Sequence, residues 1–170
     1  RQRRSLALKH EAEYNLDLVR QIDPERISDS KAPVLKLQAD KHDSVLNSEG
    51  LEAQKYSVVH PGMAGSALNW PTEYYIELIA KLSLRRKVVL TGTLADEPWL
   101  KEIKSYFAGN TQIICLQNKL TSNQLLSVLQ QAHSVFAPST GVLHLAASLG
   151  APVYGFYSPI KVQAATRWGA

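Results

Sequence analysis

SVFAPSTGVLHLAASLGAPVYGFYSP, residues 134 to 159, reads as a strand, a small-residue turn, a short helix and a second strand. Ser134 to Ala137 is a short apolar run with β-branched and aromatic members. Pro138 can neither continue a helix nor donate to a ladder, so the strand is expected to stop there. Ser139 and Thr140 are N-cap residue types, Gly141 permits close approach to the backbone, and Val142 to Leu149 places apolar residues at helical spacing. Gly150 and Pro152 end that helix. Val153 to Tyr157 is apolar again, which makes a β-turn-α-β unit of about the minimum length a parallel crossover allows. Parallel strands imply an α/β protein.

A helix that opens on Ser139-Thr140-Gly141 offers unpaired N–H groups, two hydroxyls and the positive end of a dipole, a combination suited to a phosphate. His144, in the first turn, adds one more donor. The same residues also make an ordinary helix cap, so the choice between the two rests on the rest of the chain.

Working backwards, the α/β rhythm is regular from Tyr56 onward. Strands are expected at Tyr56 to His60, Lys87 to Thr91 and Thr111 to Leu116, and helices at Thr72 to Leu84, Asp96 to Phe107 and Ser122 to Ala132. Pro71 stands where the first of these helices starts, and Thr121 opens the last. Five strands alternating with four helices predict a mainly parallel sheet covered on both faces. Upstream, Glu11 to Ile22 places Tyr14, Leu18 and Ile22 on one helical face, ended by Asp23-Pro24. Val34 to Gln38 alternates and is expected as a strand, and Asp40 to Gly50 as a polar connector with a short helix.

In sheets of this kind ligands bind beyond the carboxyl ends of the strands. Three glycine-bearing loops fall there: Pro61 to Trp70, Thr91 to Glu97 and Pro138 to His144. Gly62, Gly65 and Ser66 either hold an anion or make a tight turn. Thr91 and Gly92 open the second loop, in which Asp96 or Glu97 either accepts from ribose hydroxyls or favours the start of a helix. Trp70 beside Pro71 reads as packing. Three loops converging on one edge favour a ligand site over three separate turns.

Composition excludes several other classes. At 170 residues, 45% hydrophobic and 20% charged, the chain can bury one good core. Its net charge of +4 owes three positives to Arg1, Arg3 and Arg4, so the excess is local and no nucleic-acid surface is expected. Cys115 is alone, which rules out a disulfide framework or a thiolate metal site, and the five histidines lack ligand spacing. No metal and no cofactor are expected. There is no run long enough to span a membrane and no signal-peptide pattern. GxGxxG, GxxxxGK[ST] and GxSxG motifs are all absent, which argues against a dehydrogenase, a P-loop NTPase and a serine hydrolase. The chain starts without Met on a segment that reads as mid-protein, so a fragment is expected.

HPGMAGSALNWP (60–71), VVLTGTLADE (88–97), the span from Ala137 to Gly150 and RWG (167–169) together resemble the C-terminal half of bacterial glycosyltransferase family 9, the lipopolysaccharide heptosyltransferases and their relatives. KHEAEYNLDLV, from Lys9, resembles the helix that leads out of that family's N-terminal domain. The resemblance implies a GT-B architecture of two Rossmann-like halves facing a cleft. Residues 1–32 would be a basic segment and linker helix from a missing N-terminal domain, and 33–170 the nucleotide-sugar-binding domain. By the same resemblance Gly62, Gly65, Ser66, Ser139, Thr140, Gly141 and His144 would form the diphosphate site, and Thr91, Gly92, Asp96 and Glu97 the ribose and base site.

The implied reaction is metal-independent inverting transfer from a donor like ADP-heptose. The acceptor, lipid-linked or lipopolysaccharide, and the catalytic carboxylate would belong to the missing half, leaving the fragment inactive alone. The implied setting is cytoplasmic, peripheral on the inner membrane. Two departures bear on the donor: Ser139 replaces the usual Asp, and Leu68-Asn69 stands where a Lys or Arg is usual. Losing such a cation forfeits a charge-assisted contact worth about 1.5 to 3 kcal/mol. The competing readings are a nucleotide-sugar epimerase of the same architecture, which needs no acceptor, and a non-catalytic module that docks through its basic start.

Overall fold

The computed structural model describes residues 3–27, 34–40, 44–63 and 69–170. A 3-10 turn at Arg4–Leu6 precedes α1 (Glu11–Ile22), α2 (Pro24–Ile27) and α3 (Val45–Ser48). The sheet-forming region then runs β1 (Tyr56–Val59), α4 (Thr72–Ser83), β2 (Lys87–Leu90), α5 (Glu97–Tyr106), β3 (Ile113–Cys115), α6 (Ser122–Gln130), β4 (Ser134–Pro138), α7 (Gly141–Ser148) and β5 (Val153–Phe156). A last short helix, α8 (Ala165–Trp168), follows a 3-10 turn at Lys161–Gln163.

The five strands are parallel, in the order β3-β2-β1-β4-β5. Alternation along β1 divides its side chains between two cores. Val58, in register with Val89 and Val135, faces a core shared with Leu129 and Ala146 of α6 and α7. Val59 faces the other, with Tyr75 and Ile79 of α4 and Leu100 and Ile103 of α5. Helices therefore cover both faces, which is the Rossmann-like arrangement expected of alternating βα units.

Local chemistry accounts for the helix ends. Thr121 Oγ1 accepts from the Gln124 N–H at 3.3 Å and Gln124 Oε1 accepts from the Thr121 N–H at 2.9 Å, so a capping box starts α6. Gly150, at φ +80°, ends α7 in a left-handed conformation that a side chain would resist.

Two upstream expectations need correction. Residues 34–38 join no sheet: the Leu37 N–H donates to the Ser148 carbonyl at 2.7 Å and the Ala39 N–H to Gln130 Oε1 at 3.1 Å. The alternation is real, with Leu37 and Ala39 turned inward, but it meets the ends of α7 and α6 rather than a strand edge. Helix α1 forms over the expected residues, yet of its apolar side Tyr14 alone is buried, at 6% exposure, while Leu18 and Ile22 are 45% and 84% exposed.

The strand order fixes where a ligand can enter. The chain steps outward from β1 to β2 and β3, then returns to β4 on the other side of β1. The loops after β1 and β4 consequently diverge and open a crevice between them.

Candidate functional site

β4 carries Ser139 and Thr140 to the crevice, and α7 starts immediately after them. The Ser139 N–H still belongs to the sheet, donating to the Phe156 carbonyl at 3.0 Å. Thr140 is the N-cap of α7 in extended conformation, but its side chain caps no backbone N–H. Its Oγ1 is buried and has no hydrogen-bond partner among the described residues. The first N–H groups of α7 are thus left to something other than this hydroxyl, and the hydroxyl is itself unused. A Cβ built on Gly141 would meet no protein atom within 4 Å, so packing does not demand glycine there.

These residues border a cavity of about 520 Å³, together with Met63 from the loop after β1, His144, Phe156 and Ser158 after β5, and Val162, Gln163, Arg167 and Trp168 from the C-terminal segment. Its described lining contains no carboxylate. Gln163 Oε1 is a second buried acceptor without a partner among the described residues. Burial lowers the pKa of His144 below that of an ordinary imidazole, and the adjacent His10 pushes it the same way, so the ring is neutral at pH 7. His10 Nδ1 accepts from the Ala12 N–H at 3.2 Å, which makes Nε2 the protonated nitrogen, donating to the Gly169 carbonyl at 2.8 Å. Hydroxyls, a helix N-terminus, an imidazole and a guanidinium around a space whose described lining lacks acids are a combination suited to an anion.

A second, smaller cavity of about 130 Å³ lies on the other side of the first turn of α7. Thr91, Gly92, Thr93 and Asn118 give it polar edges, and Leu116, Leu120, Leu125 and Val142 give it apolar walls. His60, 7% exposed, closes it from the β1 side, with Nδ1 3.0 Å from Thr91 Oγ1. Burial lowers the His60 pKa although the Asp96 charge opposes it.

The remaining expected site residues are distributed as follows. Asp96 is 3% exposed, and its Oδ2 accepts from the Thr93 N–H and hydroxyl, both at 2.8 Å. It fastens the turn before α5. A Cβ on Gly62 would overlap the Asp96 carboxyl, and one on Gly92 would come 2.5 Å from Leu100, so both glycines serve close packing between loops. Glu97 turns away along α5 to pair with Lys104 at 2.7 Å, and that partner holds its carboxyl below the usual range. Gly65 and Ser66 lie outside the described residues. Asn69, at the foot of that loop, donates to the Pro61 carbonyl at 2.7 Å and accepts from the Tyr75 hydroxyl at 3.2 Å. Trp70 packs as expected, stacked on Phe156 with ring centroids 4.3 Å apart.

Sequence reading assigned no role to Met63, Gln163, Arg167 or Trp168. RWG (167–169) was visible as a motif, but no periodicity links it to residues on α7 or in the loops.

Among the described residues no group of three or more His, Cys, Asp or Glu is placed to hold a metal, and no helix is long and apolar enough to cross a membrane.

Comparison with known proteins adds family context. The family model for glycosyltransferase family 9 (heptosyltransferase) matches residues 3–170. A putative glycosyltransferase of Haemophilus influenzae is 32% identical over 98% of this chain and 51% of its own length. The crystal structure of a family 9 glycosyl transferase from Veillonella parvula shares the fold with a TM-score of 0.76 at 18% identity, over 95% of this chain and 46% of that one. The E. coli heptosyltransferase WaaC with ADP-2-deoxy-2-fluoro heptose is 26% identical with a TM-score of 0.56, over 68% of this chain and 36% of that one. The chain thus spans about half the length, or less, of these relatives.

Proposed function

The chain belongs to glycosyltransferase family 9, and from that premise we propose that it is the donor-binding half of a metal-independent inverting glycosyltransferase that takes a sugar from a nucleoside diphosphate. The observation that carries this is the open N-terminus of α7, where the buried Thr140 hydroxyl has no partner among the described residues, beside a cavity whose described lining holds no carboxylate. In this reading the diphosphate lies against Ser139, Thr140, Gly141 and His144. The base enters the smaller cavity beside Thr91 and Gly92, between Leu120 and Val142. Asp96 is committed to Thr93 and Glu97 to Lys104, so neither acid is assigned to a ribose.

The chemistry asked of this half is leaving-group stabilisation. As the glycosidic bond to the diphosphate breaks, negative charge grows on the phosphate oxygens, and fixed N–H groups at a helix N-terminus stabilise it without reorganising. His144, neutral beforehand, is poised to take up or share a proton as that charge develops. The acceptor and its catalytic base belong, in this proposal, to an N-terminal half joined through α1, so this chain binds donor and transfers nothing by itself. The whole protein would act in lipopolysaccharide or other surface-glycan synthesis at the cytoplasmic face of the inner membrane, with an ADP-heptose-like donor.

Thermal melting of the chain with ADP, UDP, GDP and CDP tests this reading. A nucleotide at a hundred times its dissociation constant stabilises by about 2.7 kcal/mol. One of the four is expected to raise the midpoint, and Thr140→Val to abolish the rise. A midpoint unmoved by all four contradicts donor binding.

A further inference from the structure

We propose that Arg167 is the cationic contact for the donor's diphosphate, an inference that rests on the donor-binding reading above. Just before the Trp70-Pro71 pair the chain has Leu68-Asn69, neither of them charged. Arg167 brings a guanidinium to the cavity from the far end of the chain and is the one Lys or Arg among its described lining residues.

Its side chain is held on three sides. Nε donates to Glu11 Oε2 at 2.6 Å, one terminal nitrogen donates to the Val162 carbonyl at 3.4 Å, and the guanidinium lies 4.9 Å from the Trp168 ring centroid. The side chain is 16% exposed, against 13% for Glu11. Glu11 is also ion-paired to Arg4, so its charge is shared between two guanidiniums rather than spent on Arg167 alone. The other terminal nitrogen of Arg167 has no partner among the described residues. A guanidinium so fixed loses little side-chain entropy on meeting a ligand, and its planar fork matches two phosphate oxygens.

The arrangement also connects elements 156 residues apart: the residue that pins Arg167 stands at the start of α1. A purely structural role would make the pair a clasp between α1 and the C-terminal segment, and ligand binding separates the two roles. ADP, UDP, GDP and CDP, each beside its own nucleoside, are titrated into the chain and into Arg167→Gln and Arg167→Lys.

The expected result is that Arg167→Gln weakens the bound diphosphate roughly tenfold or more while leaving its nucleoside unaffected. Arg167→Lys, which keeps the charge and loses the fork, should recover part of that difference, and the salt dependence of diphosphate binding should flatten in the Gln variant alone. Equal losses in the Gln and Lys variants, with nucleoside and diphosphate weakened together, would assign the residue a clasp and overturn the proposal. Unchanged diphosphate affinity in Arg167→Gln would overturn it while leaving the donor-binding reading intact. Failure of the unsubstituted chain to bind any of the four would overturn both.

Discussion

At the scale of single residues, two glycines that look alike in the sequence do opposite jobs. Gly62 lies against the Asp96 carboxyl with no room for a methyl group, whereas Gly141 opens onto space. Gly62→Ala is therefore expected to cost about 1 to 3 kcal/mol through forced displacement of Asp96 and the Thr93 turn it holds. Gly141→Ala, at a helical position with ordinary φ, should change stability by no more than about 0.5 kcal/mol while obstructing the diphosphate. Urea unfolding with and without nucleotide checks both, and equal destabilisation by the two substitutions would contradict the packing described. His60 and His144 make a second residue-scale prediction. Both are held below the ordinary imidazole pKa in the folded chain, chiefly by burial. As pH falls past about 6.5 the unfolded chain takes up protons that the folded chain refuses, so stability declines. Urea midpoints at pH 7.5 and 5.5 should show that decline, and His144→Gln should make it shallower.

At the scale of elements, the sheet was legible because its strands are short apolar runs closed by Pro, Gly or a polar turn, and because Pro71 and Thr121 mark the starts of α4 and α6. The loops at the carboxyl ends of the strands were legible for the same reason, since they begin where those runs stop. The segment 34–38 was misread because alternation reports which side chains turn inward, not whether a strand edge is there to receive them. The role of Asp96 was equally hidden: an acid in the first turn of a helix serves a ribose or a cap with the same letter, and only burial against Gly62 distinguishes them. Arg167 and Glu11 escaped because nothing local links residues at opposite ends of the chain. Helix α1 shows the limit of amphipathicity as a guide to burial. Tyr14 is buried and its hydroxyl accepts from the Leu8 N–H at 3.0 Å, but Ile22, on the same predicted face, is 84% exposed. Tyr14→Ala should cost about 3 kcal/mol, against no more than about 0.5 kcal/mol for Ile22→Ser, as read by chemical denaturation.

At the scale of the whole molecule, a parallel sheet that reverses its direction of growth between β1 and β4 puts a crevice beside the start of α7. The proposed donor site rests there on Thr140, whose buried hydroxyl has no partner among the described residues and caps nothing. The C-terminal segment reaches the same cavity as the start of α7, and Glu11 fastens Arg167 to α1 beside it.

The measurement that tests this account most directly is a calorimetric titration of the chain, and of Thr140→Val, with the four nucleoside diphosphates. The account predicts saturable one-to-one binding of one of them to the unsubstituted chain, with a large loss of affinity in the variant and no loss of its unliganded stability. Absence of binding, or equal binding by both proteins, would contradict the placement of a donor diphosphate at the N-terminus of α7.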